Sequence, residues 1–360
     1  MARALGLGHW AGAGTFEVRP PTTNIERKVT WLELFFDLVF VAAVSQVAEP
    51  LRDHYTFGEL TRFTPLFLLI WWAWTGRALF STRFDTDDGA QRALTLIEMF
   101  AVAVMAANAR ESLASRSSAG FAAAYGAVRI ILVIHYLRAI QVRDARGLTV
   151  SYLTGHGSAA VLWLVSSVVP DVATRLTLWI IAFVIDLGTP AVALDHSVRT
   201  PPHPAHLPER FGLFTLILLG ESVVAVMKGI ESQESWSPSA AAAALLGMSA
   251  LFSIWWCYFD GIRATRERHV RSRSDAKWLH LWAYAHFPLY LSIVVIGVGI
   301  RRVVTSVTKE ELPTSDVIMW MIGVALLLVA MTTIAAANAN HVRQRRGSRP
   351  EGEPPAAVHG

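Results

Sequence analysis

The stretch VTWLELFFDLVFVAAVSQVAEPL, residues 29–51, decides the fold class of this chain. Most of it is an apolar run that is long enough to cross a bilayer as a helix, for which about 20 residues suffice. Two acids, Glu33 and Asp37, interrupt the run, and they lie one helical turn apart on the same face. Carboxylates are costly in lipid, so the stretch raises the question of what these two acids contact.

The composition of the whole chain shows the same apolar bias. Its 360 residues are 53% hydrophobic and 17% charged, whereas ordinary soluble domains carry about 25% charged residues. The single cysteine, Cys257, excludes an internal disulfide framework. The basic residues are mostly arginines at the ends of apolar runs, a pattern of membrane flanks rather than of nucleic-acid binding. The sequence therefore predicts an all-α, polytopic membrane protein whose partner is the lipid bilayer and not nucleic acid.

Ten segments have the length and hydrophobicity of membrane spans: 31–50, 63–82, 91–109, 119–139, 149–169, 174–195, 209–229, 239–259, 278–300 and 315–338. The fifth is polar in its first half, so it is either a full span or a broken, re-entrant helix. With both termini in the cytoplasm, roughly 22 basic residues face inward and roughly 9 outward, as the positive-inside rule requires. The tryptophan pairs at Trp71 and Trp255 are then expected in an interfacial aromatic belt.

This topology divides the chain into three parts. Residues 1–28 are predicted to be a cytoplasmic N-terminal segment, and they hold no long apolar stretch of the kind found in a signal peptide. Residues 29–340 form the membrane domain, and residues 341–360 are predicted to be a disordered cytoplasmic tail because they are rich in Arg, Pro and Gly.

The two acids of the first span have different explanations. Thr30 and Glu33 fit a capping box, in which Thr30 is the N-cap and Glu33 binds the N-cap backbone N–H. Asp37 is one turn deeper, where capping cannot explain it. Its face continues through Val41 to Ser45, so we expect Asp37 to face the bundle interior with partners on predicted helices 7 and 4.

Ionisable residues recur inside other spans. A transport or charge network is predicted from Asp37, Glu98, Arg129, Asp186, Glu221 and His286. Arg129 can neutralise one acid, which would leave about three of the four without a permanent cation. Such carboxylates take up a proton or bind a cation. The alternative is a structural network of ion pairs and hydrogen bonds that holds the bundle together.

A weak parallel repeat relates helices 1–2 to helices 7–8. Residues 33–37 align with residues 209–213, Ser45-Gln46 then meets Glu221-Ser222, and a WW pair follows each half. Transporter folds are often duplications with a site at the repeat interface, so the alignment favours Asp37 and Glu221 as paired central acids.

A metal site is a weaker interpretation. His203, His206 and Glu209 have ligand-like spacing, but four prolines between 201 and 208 prevent a regular helix across the three. Pro208 and Glu209 fit the first turn of helix 7 better. No metal and no cofactor are therefore expected.

Five motifs carry a family resemblance: LELFFDLVFVAAVSQVA (32–48), RFDTDD (83–88), HLPERFGLFTLILLGES (206–222), WWCYFD (255–260) and AYAHFPL (283–289). Together they resemble the bacterial low temperature requirement A family over residues 27–340. The resemblance implies a polytopic protein of the bacterial plasma membrane and marks as motif positions Asp37, Asp85, Glu209, Glu221, Asp260 and His286. It implies no reaction.

Three functions follow from these observations. The first is a transporter or channel for a proton, a monovalent cation or a proton-coupled small solute, with Glu33, Ser45, Gln46 and Ser222 supporting the central acids. The second is a membrane-embedded enzyme or redox component, which ranks lower because no catalytic motif stands out. The third, which the family resemblance implies, is a structural or regulatory membrane protein that supports growth in the cold. The sequence leaves the oligomeric state open.

Overall fold

The computed structural model describes residues 17–18, 29–85, 88–113, 117–232, 237–263, 267–306 and 312–347. In chain order its elements are β1 Glu17–Val18, α1 Trp31–Val47, α2 Glu49–Asp53, α3 Phe57–Arg83, β2 Phe84–Asp85, α4 Gly89–Ala107, α5 Ser117–Ala139, a 3-10 turn Arg143–Ala145, α6 Arg146–Val168, α7 Val172–Val192, α8 Leu194–Arg199, α9 His206–Glu231, α10 Pro238–Arg263, α11 Arg273–Ser306 and α12 Thr314–Gly347.

The ten long helices overlap the ten predicted spans one for one. Within the described residues, eight of them are long and apolar enough to cross a membrane, namely α4 to α7 and α9 to α12. The prediction of an all-α polytopic membrane bundle is therefore confirmed. Helix α1 has only 17 residues, and α3 is long enough but less apolar. The count of ten spans stays a prediction.

Helix α3 is the centre of the bundle. Every residue from Leu69 to Arg83 is buried, and the helix contacts α1, α5, α9 and α11. A helix that is enclosed by other helices has little contact with lipid, so it can carry polar residues that a peripheral span could not. This position explains why α3 is less apolar than its neighbours.

The aromatic belt prediction is wrong for α3 and fits α10. Trp71, Trp72 and Trp74 are at most 1% exposed, because α3 is central and their rings pack against other helices. Trp72, for example, meets the ring of Tyr284 in α11 at 5.6 Å. Trp255 and Trp256 lie on the outer surface, 39% and 55% exposed. Only the α10 pair is placed where it can contact a lipid interface.

Helices α1 and α9 run in the same direction. Asp37 in the first half of α1 pairs with Arg210 near the start of α9, and Ser45 near the end of α1 contacts Glu221 further along α9. Chains that cross a membrane alternate in direction, and α1 and α9 are the first and seventh long helices. Their common direction is what ten alternating spans predict, and it is also what the proposed parallel repeat requires. The repeat itself stays a prediction.

The predicted fifth span is one continuous helix, so the broken or re-entrant alternative is wrong. Helix α6 runs without interruption for 23 residues. Its glycine at position 155 allows α7 to approach closely, because a Cβ there would lie 2.1 Å from Oγ1 of Thr189. Small residues at such contacts are typical of membrane helix packing, and this explains the polar, glycine-containing sequence.

The two chain ends differ from the predicted boundaries in detail. Helix α12 continues to Gly347, past the predicted start of the tail at residue 341. Residues 348–360 lie outside the described part of the chain. Of the predicted N-terminal segment, Glu17 and Val18 are described, and they form a two-residue antiparallel pair with Asp85 and Phe84. This pair joins the N-terminal segment to the end of α3.

Candidate functional site

Asp37 faces the bundle interior, as predicted, and is completely buried. Its Oδ1 accepts a hydrogen bond of 2.7 Å from the indole Nε1 of Trp74 in α3 and a second from the guanidinium of Arg210 in α9. The expected partner on predicted helix 7 is therefore present. The expected partner on predicted helix 4, Arg129, is not a partner of Asp37, because it pairs with Asp186 instead.

Glu33 caps α1 and also joins the same cluster. The backbone N–H of Glu33 donates to Oγ1 of Thr30 at 3.2 Å, and the N–H of Thr30 donates to Oε2 of Glu33 at 2.9 Å. The predicted capping box is therefore confirmed. The other carboxylate oxygen, Oε1, lies 3.2 Å from Nε2 of His206 and 4.0 Å from Nη1 of Arg210. Glu33 thus shares a cation with Asp37.

A second ion pair lies beside the first, between α3 and α4. Glu98 is fully buried, and its Oε2 accepts a hydrogen bond of 3.2 Å from Nε of Arg77. The same guanidinium donates to Oγ1 of Thr95 at 3.2 Å. Nε2 of His135 approaches Oε2 of Glu98 at 4.0 Å. The arginine of each buried pair, Arg210 of Asp37–Arg210 and Arg77 of Arg77–Glu98, lines one common space.

That space is a cavity of about 430 Å³ at the end of the bundle where α1 and α4 begin and α3 ends. Its described lining residues are Thr30, Trp31, Leu32, Glu33, Phe36, Arg77, Ser81, Phe84, Gln91, Arg92, Thr95 and Arg210. Arg77 is six residues from the end of α3 and Arg210 four residues inside α9, so the arginines lie about 6–9 Å into the bundle at 1.5 Å per residue.

Neither ion pair uses its full hydrogen-bonding capacity. Among the described residues, four atoms of these two pairs have no hydrogen-bond partner: Oδ2 of Asp37, Nη1 of Arg77, Oε1 of Glu98 and Nε of Arg210. Buried polar networks that serve only structure are usually satisfied. Unpartnered buried polar atoms also occur in other clusters of the described residues. These two pairs differ because their arginines line a cavity, and that combination indicates a site that takes a ligand or a proton.

The expectation that three acids would lack a cation is wrong. Besides the two pairs at the cavity, Oδ2 of Asp186 lies 2.8 Å from Nε of Arg129, and Oε1 of Glu221 lies 2.7 Å from Nη2 of Arg52. Arg52, Arg77 and Arg210 are among the basic residues that the topology prediction places at the ends of the spans. In the structure the side chains of all three arginines point into the protein, where each pairs with an acid of another helix.

Asp186 belongs to a separate cluster between α5, α6 and α7. It is fully buried and is bound by Arg129 and by Nδ1 of His156. Arg129 also donates to the hydroxyl of Tyr125 at 2.5 Å. His156 was not predicted, although its position in the polar half of the fifth span was a usable signal.

Glu221 lies toward the opposite end of α1. Oγ of Ser45 donates to Oε1 of Glu221 at 2.7 Å, and Arg52 bridges Glu221 to Glu49 with a distance of 2.7 Å to each carboxylate. Ser45 and Glu221, which the repeat alignment places at equivalent positions, are therefore in direct contact. Asp37 and Glu221 belong to two clusters that different cations hold, so the structure does not bring these acids into one pair.

His286 lies in an aromatic cluster and has no ion-pair partner among the acids and arginines described above. Its Nδ1 donates to the backbone carbonyl of Trp282 at 2.7 Å, and Nε2 is 3.0 Å from the hydroxyl of Tyr258. The ring packs against Phe211 at 4.8 Å. Both ring nitrogens are engaged in this way, and the membership of His286 in the predicted transport or charge network stays a prediction.

The remaining motif residues are dispersed. Oγ of Ser222 donates to the carbonyl of Ile293 at 3.3 Å and so joins α9 to α11, whereas Gln46 and Asp260 are exposed. The backbone of Asp85 pairs with Glu17, and its side chain lies outside the described atoms. The neighbouring Asp88 caps α4 by accepting from the N–H of Gln91 at 2.7 Å.

The weak metal candidates form no metal centre in the part of the chain that is described. No group of three His, Cys, Asp or Glu side chains suited to a metal occurs there. Helix α9 begins at His206, and Pro208 and Glu209 lie in its first turn as expected. The ring of His206 lies between carboxylates, 3.2 Å from Glu33 and 3.6 Å from Glu209. The arrangement is an ion-pair bridge rather than a ligand set.

Arg77, Arg210 and Trp74 are the cavity-cluster residues that the sequence analysis missed. A signal was available, because Arg77 and Arg210 lie within the predicted spans 63–82 and 209–229 and should have counted as buried cations. Nothing in the sequence indicated that Trp74 would donate to Asp37.

Comparison with known proteins agrees with this architecture. The profile described as bacterial low temperature requirement A protein matches residues 28–350. An uncharacterized protein of Rhizobium meliloti (strain 1021) is 28% identical over 309 residues, which span 81% of this chain and 73% of that protein. No solved structure gives a significant match. On the extent of the profile match, this multi-pass membrane protein belongs to the bacterial low temperature requirement A family.

Proposed function

We propose that this protein is a proton-coupled transporter of a small solute, and that the cavity beside Arg77 and Arg210 is its binding site. The observation that carries the proposal is that the arginines of two buried carboxylate–arginine pairs line the cavity, and that each arginine keeps a nitrogen without a hydrogen-bond partner among the described residues. In the proposed topology this end of the bundle is cytoplasmic and both termini lie on that side.

Coupling to protons follows from the chemistry of the pairs. A buried carboxylate is held ionised by its cation, and one that loses the cation takes up a proton. A solute that bonds to Arg77 would loosen the arginine's contact with Glu98, and one that bonds to Arg210 would do the same for Asp37. Solute binding and protonation of a carboxylate are then linked.

A path to the other side would pass between α1 and α9. The cavity cluster lies near the start of both helices, and the Ser45–Glu221–Arg52 cluster lies further along the same interface. In this structure direct contacts among the side chains of the second cluster block this path between α1 and α9. Breaking the bond between Arg52 and Glu221, 2.7 Å long, is the step that would open that end.

The arginines argue against a simple potassium or sodium channel. Among its described lining residues the cavity has three arginines and one carboxylate. The partners of Arg77 and Arg210, Glu98 and Asp37, are not among these lining residues. A monovalent cation that enters the space therefore meets more positive than negative side chains.

A structural role is the second candidate, and one observation favours it. Each of the four predicted acids has an arginine partner within 3.2 Å, as a network that only holds helices together would require. In that case, replacing Asp37 should lower stability without abolishing any solute movement.

Proton flux in proteoliposomes separates the two candidates. Vesicles loaded with a pH indicator are exposed to four solute pools: organic acids, amino acids, sugars, and potassium with sodium salts. We expect proton movement with one of the first three pools, and we expect Asp37→Asn to abolish it while the variant remains folded. Asp195→Asn is the matched control, because Asp195 is 61% exposed in a surface pair. Absence of proton movement with every pool would refute the proposal.

A further inference from the structure

The cavity has the chemistry of an anion site. Arg77 and Arg210 line it and are only 6% and 1% exposed. Among the described residues, Nη1 of Arg77 and Nε of Arg210 have no hydrogen-bond partner. Guanidinium groups present paired N–H donors that match a carboxylate or phosphate, so the unpartnered donors point to a ligand that carries an anionic group.

The rest of the lining is mixed in polarity. Phe36, Phe84 and Leu32 supply apolar surface, while hydroxyl groups come from Ser81 and Thr95. Small-molecule sites combine predominantly apolar walls with a few placed polar groups, and 300–1,000 Å³ is their usual size range. The observed cavity of about 430 Å³ suits a small molecule with an acidic head and an apolar body.

Glu33 limits the charge of this ligand. Its side chain is 13% exposed and lies 4.0 Å from Nη1 of Arg210, so a second negative charge in the cavity would meet a carboxylate. The repulsion from Glu33 grows with the negative charge of the ligand, because like charges that lie close together disfavour each other. A single negative charge is therefore favoured over a dianion.

We infer that the cavity binds a small organic monocarboxylate, with its carboxylate on Arg77 and Arg210 and its apolar body against Phe36 and Phe84. This inference rests on the proposed function and names its solute class. Binding draws an arginine from Glu98 or Asp37, and the carboxylate that is released takes up one proton from the solution. Each monocarboxylate therefore enters the site together with up to one proton.

The test is a binding measurement that does not require transport. Purified protein in lipid nanodiscs is titrated with sodium acetate, butyrate, benzoate and 3-phenylpropanoate, and binding is followed by thermal stabilisation. The matched probes are the four amides, which have the same shape without the charge, and phenyl phosphate, which carries a second charge. In weakly buffered solution a pH indicator measures the protons taken up per ligand bound.

We expect at least one aryl or alkyl carboxylate to bind at least tenfold more tightly than its amide and than phenyl phosphate, with between about half a proton and one proton taken up per ligand. Arg77→Gln should weaken carboxylate binding at least tenfold. Arg62→Gln is the matched control on the same helix, since Arg62 is 68% exposed and pairs with Glu59. If Arg77→Gln does not fold, the comparison of acids with amides on the unmodified protein still decides the question.

Three results would overturn the inference: equal binding of acids and amides, tighter binding of phenyl phosphate, or no binding of any carboxylate. Its failure is distinguishable from failure of the transport proposal. Carboxylate binding without proton flux across vesicles would retain the anion site and reject transport. Flux driven by a sugar pool without carboxylate binding would retain transport and reject the anion site.

Discussion

The Asp37–Arg210 pair should be strongly coupled in energy, and a double-mutant cycle can measure this. Both side chains are at most 1% exposed, and removing one partner of a buried ion pair costs about 3–5 kcal/mol because the other charge is left without its counterion. The two single variants, Asp37→Asn and Arg210→Gln, should lower the free energy of unfolding by different amounts.

The surrounding contacts set the order of the two effects. After Asp37→Asn, Arg210 still has Glu33 at 4.0 Å and the hydroxyl of Ser81 at 2.7 Å. Unit charges 4 Å apart attract by about 4 kcal/mol at an effective dielectric constant of 20, so Glu33 offsets part of the loss, and we expect about 3 kcal/mol of destabilisation. After Arg210→Gln, Asp37 keeps only the N–H of Trp74 among its observed donors, and about 5 kcal/mol is expected.

The double variant should be far more stable than the sum of the single variants predicts. It removes both charges, so no unpaired ion is buried, and we expect an interaction energy of at least about 2 kcal/mol. The assay is equilibrium unfolding in mixed micelles with increasing sodium dodecyl sulfate, followed by circular dichroism. The exposed pair Arg273–Asp195, 2.6 Å apart, is the control cycle and should give about 1 kcal/mol or less. Additive effects at the buried pair, or a smaller loss for Arg210→Gln than for Asp37→Asn, would refute the reasoning.

Two further predictions concern the packing and capping of the bundle. Gly155→Ala should lower the free energy of unfolding by about 1–3 kcal/mol, because the new Cβ would lie 2.1 Å from Oγ1 of Thr189. The control is Gly157→Ala on the same helix, where a Cβ meets nothing within 4 Å, and it should not destabilise the protein. Equal losses of unfolding free energy for the two variants would contradict this prediction. Hydrogen bonds from the hydroxyl and N–H of Thr174 lower the pKa of Asp171, the N-cap of α7. The stabilisation from Asp171 is therefore present above its unfolded-state pKa and is lost as the pH falls through the lower folded-state pKa. The difference in melting temperature between the protein and Asp171→Asn should shrink on acidification toward pH ~3. A difference that does not change with pH would contradict the assignment.

Much of the candidate site was present in the sequence as isolated residues. Asp37 and Glu98 were identified because an acid in an apolar run of spanning length stands out from its surroundings. The capping box at Thr30 was also correct, since capping depends on residues only three positions apart. What the sequence analysis could not assign was the cation for each acid. Arg210 meets Asp37 across 173 residues of chain, and spacing carries no information about such a contact.

The sequence by itself determined the positions of the ten long helices and the class of the fold, because the length of an apolar segment is a local property and the bilayer selects for it. Only the tertiary structure decided that α3 is central and that Arg77 and Arg210 line a cavity. The physical reason is that apolar helices gain little from one another that lipid would not also supply. Which faces meet is therefore decided by close packing and by a few buried polar contacts, which depend on all the helices together.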